Sequence, residues 1–508
     1  MTELAAPPVE ERTGVKRINH WIGGRVYTGE SGRSGPVYNP ATGQKTAEVD
    51  FATAEEVDGA VQAAKAAFPA WRALSLARRA ELFFRIRELL AARREEVARL
   101  LTAEHGKVLS DAVGEVTRGL EVIEFCCGIP TLLKSEYTEQ ASSGIDVYSI
   151  RQPLGVVAGI TPFNFPAMEP MWMWAPALAC GNTFVLKPSE KDPSASIWMA
   201  ELLKEAGVPD GVFNVVHGDK VAVDAVLEHA DIVAVSFVGS TPVARYVYET
   251  ATARGKRCQA LGGAKNHMIV LPDADIDMAA DAAVSAAFGS AGERCMATSQ
   301  IVAVGNVAEP LIAAITERIP KVKVGDGLDP ASEMGPLVTR EHRDRVASYV
   351  ENAPGEGVKV LVDGREGVPE EGFFLNPTLL DHVNPGTSAY DDEIFGPVLG
   401  VTRAATYEEA LRLVNENQYG NGTAIFTRDG GVARQFQFDV QAGMVGINVP
   451  IPVPVAYYSF GGWKASLFGD RHMYGPEGID FYTRGKVVTS RWPDPATSKV
   501  DLGFPQTR

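Results

Sequence analysis

The chain has 508 residues, 45% of them apolar and 22% charged, with a formal net charge of −16. This length exceeds what one hydrophobic core usually supports, so two or more domains are expected in an otherwise ordinary globular composition. The acidic balance repels phosphate backbones and argues against a nucleic-acid partner, so an anionic substrate would have to be met by local arginine or lysine.

In chain order, the opening MTELAAPPVEER lacks an apolar leader segment and is too acidic for a transit peptide. It reads as a loose arm on a cytoplasmic protein. Thr53 and Glu56 have capping-box spacing and open a helical region over about 54–105, with apolar residues recurring at three and four. IDVYSIRQ (145–152) is β-rich, as is IDFYTRGKVVTSRW (479–492) near the other end. Such strands would be unsatisfied alone and predict pairing with another subunit's sheet.

Between about 153 and 262, LGVVAGI, NTFVLKPS, VFNVV and IVAVSFVGS read as buried strands, with SASIWMAELLKEAG and VAVDAVLEHA as helices between them. That alternation predicts parallel β-α-β units. A second alternating region over about 265–450 has NHMIVL, QIVAV, KVLVDG, GVTRAA and NGTAIFT as strands. The longest uncharged run, between Glu169 and Lys187, is interrupted by Pro170, Pro176, Gly181 and Asn182. It predicts core helix, turn and strand, and no membrane span is expected.

The five cysteines, 126, 127, 180, 258 and 295, show no metal-ligand spacing and no disulfide framework. They read as reduced thiols with no bound metal. Cys295 stands apart, in FGSAGERCMATS (288–299), among small residues and beside Arg294. A neighbouring cation or oriented backbone amides can populate the nucleophilic thiolate. Taken alone, Cys295 would more often be an inert core thiol, and Asn164 of TPFNFP an ordinary turn residue. No G-x-G-x-x-G occurs, because Pro330 stands at the third position after Gly325 and Gly327.

Four further segments accompany the cysteine: GITPFNFP (159–166), FVLKPSE (184–190), SFVGST (236–241) and EIFGPVL (393–399). In this order, over nearly the whole chain, they resemble the aldehyde dehydrogenase superfamily. The resemblance implies an α/β fold with an open, doubly wound cofactor domain, an α/β catalytic domain and a β oligomerisation arm. The expected boundaries are 1–136 and 154–262 for NAD binding, 263–450 for catalysis, and 137–153 with 475–508 for the arm. A homo-oligomer is expected, a tetramer built as a dimer of dimers. Such proteins bind nicotinamide dinucleotides without the glycine fingerprint.

By the same resemblance Cys295 is the nucleophile and Asn164 the oxyanion donor. Lys187 and Glu190 hold the adenosine ribose, with Lys191 bordering them; Glu190 would repel a 2′-phosphate and favours NAD over NADP. Thr161, Phe163 and Gly262 approach the cofactor, and Gly239 and Ser240 start a helix suited to pyrophosphate. Glu393 and Phe395 hold the nicotinamide ribose and ring.

One departure matters. Hydrolytic members read E-L-G-G-K before the cysteine, and that glutamate activates water. Here the stretch is Ala260-Leu261-Gly262-Gly263-Ala264, then Lys265. Without a base, water attack slows by roughly two to four orders of magnitude, and the thioester waits for a thiol such as coenzyme A. MEPMWMW (168–174), GAKNHMIV (263–270) and the tail 445–470 resemble the CoA-acylating methylmalonate-semialdehyde dehydrogenases. These release carbon dioxide and yield propionyl-CoA or acetyl-CoA. Their substrate-carboxylate arginines fall on Arg118 and Arg294, though Arg118 could equally be a surface ion pair with Glu115 or Glu121. Three alternatives stay open: a hydrolytic semialdehyde dehydrogenase using another base, a cysteine hydrolase pairing Cys295 with His267, and a non-catalytic binding protein.

Overall fold

Strand and helix alternate as the apolar runs demand, and the described strands collect into two large sheets, two three-stranded sheets and a two-stranded pair. The computed structural model describes residues 15–497 with 500, 502 and 503; the expected N-terminal arm and the last residues of the oligomerisation segment lie outside them.

The first large sheet has eight strands, in the order Leu467–Phe468, Arg257–Leu261, Ile232–Val238, Val156–Ile160, Thr183–Lys187, Phe213–Val215, His20–Ile22 and Arg25–Tyr27. Every neighbouring pair from Arg257–Leu261 to Phe213–Val215 is parallel. Chain order runs one way from Val156–Ile160 through Thr183–Lys187 to Phe213–Val215, and the other way through Ile232–Val238. The strand order therefore reverses between Val156–Ile160 and Ile232–Val238. In open α/β sheets a ligand crevice opens at the carboxyl ends of strands at such a switch point.

The second sheet orders Lys359–Val362, Thr378–Asp381, Val398–Ala404, Thr298–Val304, Asn266–Val270, Gly422–Phe426 and Met444–Ile447. Only its first pair is antiparallel. Each expected strand of both regions is present. The uncharged run folds as the helix Met168–Ala179 and the strand Thr183–Lys187. Among the described residues no helix is long and apolar enough to cross a membrane.

Two expectations change. The helical region over 54–105 is two helices, Ala54–Ala73 and Leu76–His105; Ser75 caps the second by accepting from the Arg78 N–H. The β-rich end segments also pair within the chain. Ile145–Pro153 lies antiparallel between Tyr137–Ser142 and Thr483–Arg491. Residues 479–481 belong to the helix Gly475–Phe481, not to the strand.

Both halves of the Thr53–Glu56 capping box form. Thr53→Ala should cost about 1 kcal/mol locally. Amide exchange at Glu55, Glu56 and Val57 should then quicken while activity is retained; unchanged exchange would mean the cap does not hold this helix end.

Candidate active site

The crevice at the switch point is built by the loops leaving Ile160, Lys187 and Val238. Lys187 is buried and its Nζ lies 3.2 Å from the Glu190 carboxylate. Burial pushes the Glu190 carboxyl up, but the charge of Lys187 and hydrogen bonds outweigh it and hold the group below its usual range. An ionised acceptor beside a cation suits two vicinal hydroxyls. Thr161 donates its N–H to the Lys187 carbonyl (3.1 Å), joining the two loops. The Lys191 ammonium stands 4.4 Å over the Phe163 ring.

Ser240 is the N-cap of the helix Thr241–Ala253, and its side chain makes no capping bond. The first-turn N–H groups therefore lack that side-chain cap, which suits an anion. The Gly239 N–H is engaged by the Leu261 carbonyl (3.1 Å), so the helix behind it supplies the donors. Gly262 packs against the 465–466 segment: its N–H donates to the Ser466 carbonyl (3.0 Å), and a Cβ there would lie 2.6 Å from the Ala465 carbonyl oxygen.

Glu393 accepts from the Ala264 N–H (2.9 Å), and burial pushes its carboxyl up to about 7. Lys265 ties down the preceding segment by donating to the carbonyls of Ala389 (2.6 Å) and Asp392 (2.9 Å). Phe395 has φ +59°, a left-handed conformation unusual for a bulky residue. Its carbonyl accepts from His342 at 2.7 Å, and its ring meets Phe163 edge-on at 5.8 Å. Strain of this kind persists only where the surroundings enforce it.

Cys295 follows the helix Ile276–Phe288 through a tight turn in which Ser290 and Ala291 have φ of 53° and 51°. It is half-buried, and it shares one pocket with Asn266, Arg294, Glu393 and Phe395. Its carbonyl accepts from the side chains of Asn266 (2.8 Å) and Asn421 (3.2 Å). Burial pushes the thiol well up, and the nearby carboxyls of Glu169 and Glu393 add to this; the Cys295 and Met296 N–H groups act the other way. Of the two thiolate aids expected from sequence, the loop provides the amides. The cation is engaged elsewhere, because Arg294 pairs with Asp111 at 2.7 Å.

Asn164 is 2% exposed, and its backbone is clamped. Lys107 donates to the Asn164 carbonyl (2.6 Å) and pairs with Glu115 (2.7 Å). Glu115 in turn accepts from the Ala167 (2.8 Å) and Met168 (3.1 Å) N–H groups. Sequence reading missed Lys107, Asn266 and Asn421, and assigned Glu115 only as a possible partner of Arg118; none carries a local motif signal. Asn164→Ala should lower the rate of first-turnover NADH formation by about 10²–10³, the usual loss for one oxyanion donor. An unchanged rate would remove Asn164 from the chemistry.

Each of the two arginines already holds a carboxylate. Arg118 is half-buried, pairs with Glu121 at 2.6 Å and donates to the Pro454 carbonyl at 2.6 Å. It lines a second pocket with Trp172, Ala456 and Tyr474, separate from the one that holds Arg294. Tyr474 stands beside Arg118, donating its hydroxyl to the same Pro454 carbonyl at 3.2 Å. His267 is buried against Tyr390 (Nε2 to hydroxyl, 3.3 Å) and pushed down to about 3 by burial. It therefore faces Tyr390 rather than Cys295, against the cysteine-hydrolase alternative. Among the described residues no group of three His, Cys, Asp or Glu side chains could hold a metal ion.

Strand alternation also corrects the position of the missing base. Successive side chains of Arg257–Leu261 point to opposite faces of the sheet. Ala260 packs with Phe237, Val235 and Cys258 on one face. Leu261 packs in the cluster on the other face, against which Cys295 also lies. Reading Leu261-Gly262-Gly263-Ala264-Lys265 against E-L-G-G-K puts the lysine in register as well. The residue on the Cys295 side of the sheet is Leu261, as incapable of accepting a proton as Ala260.

The chain matches the sequence model of the Aldehyde dehydrogenase family over residues 27–488. It is 51% identical to a malonate-semialdehyde dehydrogenase of Pseudomonas aeruginosa, covering 96% of this chain and 99% of that protein. A solved structure from Sinorhizobium meliloti 1021, complexed with NAD, is 53% identical with a TM-score of 0.94, covering 95% of this chain and 99% of that one. The methylmalonate-semialdehyde dehydrogenase of Oceanimonas doudoroffii is 54% identical with a TM-score of 0.93, at the same coverage.

Proposed function

Because the chain belongs to the aldehyde dehydrogenase family, we propose that it oxidises malonate or methylmalonate semialdehyde with NAD, loses carbon dioxide, and passes the acyl group to coenzyme A. The observation that carries the acyl-transfer reading is Leu261, an apolar side chain on the Cys295 face of the strand where hydrolytic relatives place their base.

The residues present fit NAD. The switch-point crevice, the Ser240 helix start and the ionised Glu190 beside Lys187 provide for pyrophosphate and ribose, and the Glu190 charge disfavours a 2′-phosphate. Glu393 and Phe395 would border the nicotinamide end. The contribution of bound NAD is to accept hydride, after which Cys295 carries a thioester.

In that reaction the Cys295 sulfur attacks the aldehyde carbon while the carbonyl electron pair moves onto oxygen. The Asn164 side-chain amide and the Cys295 N–H receive that charge, with the Lys107–Glu115 clamp holding the Asn164 backbone in place. Arg118 and Arg294 are the candidates for the substrate carboxylate. Each has to share its guanidinium with the partner it already holds, Glu121 or Asp111. Thioester formation makes the carboxylate β to an electron-accepting carbonyl, so carbon dioxide can leave and the same donors hold the enolate.

The proposal includes a cytoplasmic enzyme whose NAD-binding, catalytic and arm segments follow the boundaries given above. Membership of the strands within 156–261 in one sheet, and of those within 266–447 other than Tyr419–Gly420 in another, supports that division. The exposed strand Thr483–Arg491, with Val487 70% exposed, supports assembly through the arm into a tetramer.

The test is NADH formation from malonate semialdehyde and NAD, with and without CoA. A burst of about one NADH per active site, with steady turnover only when CoA is present, is expected if water cannot deacylate the enzyme. Equal steady rates without CoA would overturn acyl transfer.

A further inference from the structure

Glu169 has no part in the chemistry described above, yet it is the group in the site hardest to explain by packing. It sits in the first turn of Met168–Ala179, directly after the loop that carries Asn164. It is 0% exposed, and neither carboxyl oxygen has a hydrogen-bond partner. Its neighbours in sequence, Met168, Met171, Trp172 and Met173, are all apolar core. Lys107 does not serve as its counter-ion, because its hydrogen bonds go to Glu115 and the Asn164 carbonyl.

The groups that act on it electrostatically are Glu115 and Lys107, and it acts in turn on the Cys295 thiol. Burial, with Glu115 adding to it, pushes the carboxyl well above its usual range. An unpaired carboxyl in such surroundings is a neutral acid with a proton to give. It is therefore not a base for water in the resting enzyme.

We propose that Glu169 is the acid that protonates the enolate left on Cys295 when carbon dioxide departs. This inference rests on the decarboxylating, acyl-transferring reading above. The C–C bond pair becomes the π bond of a thioester enolate, and C2 then takes the Glu169 proton while the O–H pair stays on the carboxylate. That carboxylate next removes the S–H proton of coenzyme A. The CoA sulfur attacks the acyl carbon and Cys295 leaves as thiolate. The account closes: malonate semialdehyde, NAD⁺ and CoA thiol yield acetyl-CoA, carbon dioxide and NADH with no proton taken from solvent. The thiol proton restores the acid that supplied the new methyl group. An aldehyde without a β-carboxylate forms no enolate and leaves Glu169 idle.

That difference is the test. Wild-type enzyme and Glu169→Gln are each given malonate semialdehyde or propanal, with NAD and CoA. First-turnover NADH should be no slower in Glu169→Gln than in wild type for either substrate, since the substitution removes a carboxyl that acts on the Cys295 thiol. Steady turnover of malonate semialdehyde should fall by about 10²–10⁴ in Glu169→Gln, the range for a lost general acid, while propanal turnover stays unchanged. Glu169→Leu should reproduce this split at an equal or higher melting temperature, because it removes an unpartnered buried polar group. Equal losses on both substrates, a lower melting temperature with both activities gone, or undiminished malonate semialdehyde turnover would each overturn the proposal. Wild-type turnover without CoA, or without release of carbon dioxide, would instead overturn the reading beneath it.

Discussion

Cys295→Ala should eliminate aldehyde-dependent NADH formation, including the first-turnover burst, by a factor on the order of 10⁶, as loss of a covalent nucleophile does elsewhere. No other thiol can stand in. Cys126, Cys127, Cys180 and Cys258 are all buried, and burial pushes each of their thiols up. Cys295 is the half-exposed one, and burial above all pushes its thiol well up. The sign follows directly: a raised thiol pKa leaves little thiolate at neutral pH, and the thiolate fraction grows tenfold per pH unit below that pKa. Alkylation of cofactor-free enzyme by iodoacetamide, and the burst rate, should both climb across about pH 7 to 9. A flat profile would show that the thiolate already exists at neutral pH. A persistent burst in Cys295→Ala would end the covalent account.

Leu261→Glu should convert the enzyme toward hydrolysis, raising steady NADH formation without CoA by about 10²–10⁴, the typical worth of a general base. Leu261 lies beside Val238 in the parallel sheet and shares its cluster with Cys295. A carboxyl there enters the side of the strand that faces the thioester. Ala260→Glu is the discriminating control. Its side chain would be driven among Phe237, Val235 and Cys258 on the opposite face, where an unpaired charge is costly. That variant should lose thermal stability and gain no CoA-independent turnover. The reverse pattern would put the base position back at Ala260, as the motif read by itself suggests.

The two variants also mark how far the sequence can be read. Buried parallel strands such as Val156–Ile160 and Ile232–Val238 were legible because both faces of a central strand are covered, leaving short continuous apolar runs. The capping box at Thr53 was legible because it is a contact across three residues. The segments carrying Asn164, Glu190, Ser240, Cys295 and Glu393 were legible because chemistry constrains their residue types locally. By contrast, the break at Leu74–Ser75 is invisible to a helical period that continues through it.

What the sequence determined by itself was therefore the alternation of strand and helix, the reacting cysteine and its attendant motifs, and the absence of a water-activating glutamate. Those are properties of residues near one another along the chain. Tertiary structure alone decided that Leu261 and not Ala260 lies on the sheet face whose core Cys295 packs against, and that Arg118 and Arg294 answer to Glu121 and Asp111. It also decided that Ile145–Pro153 finds Thr483–Arg491 in its own chain, and that Glu169 is sealed without a partner. The physical reason is shared: face, ion pairing and desolvation depend on which distant segments are packed alongside, and no local pattern encodes them.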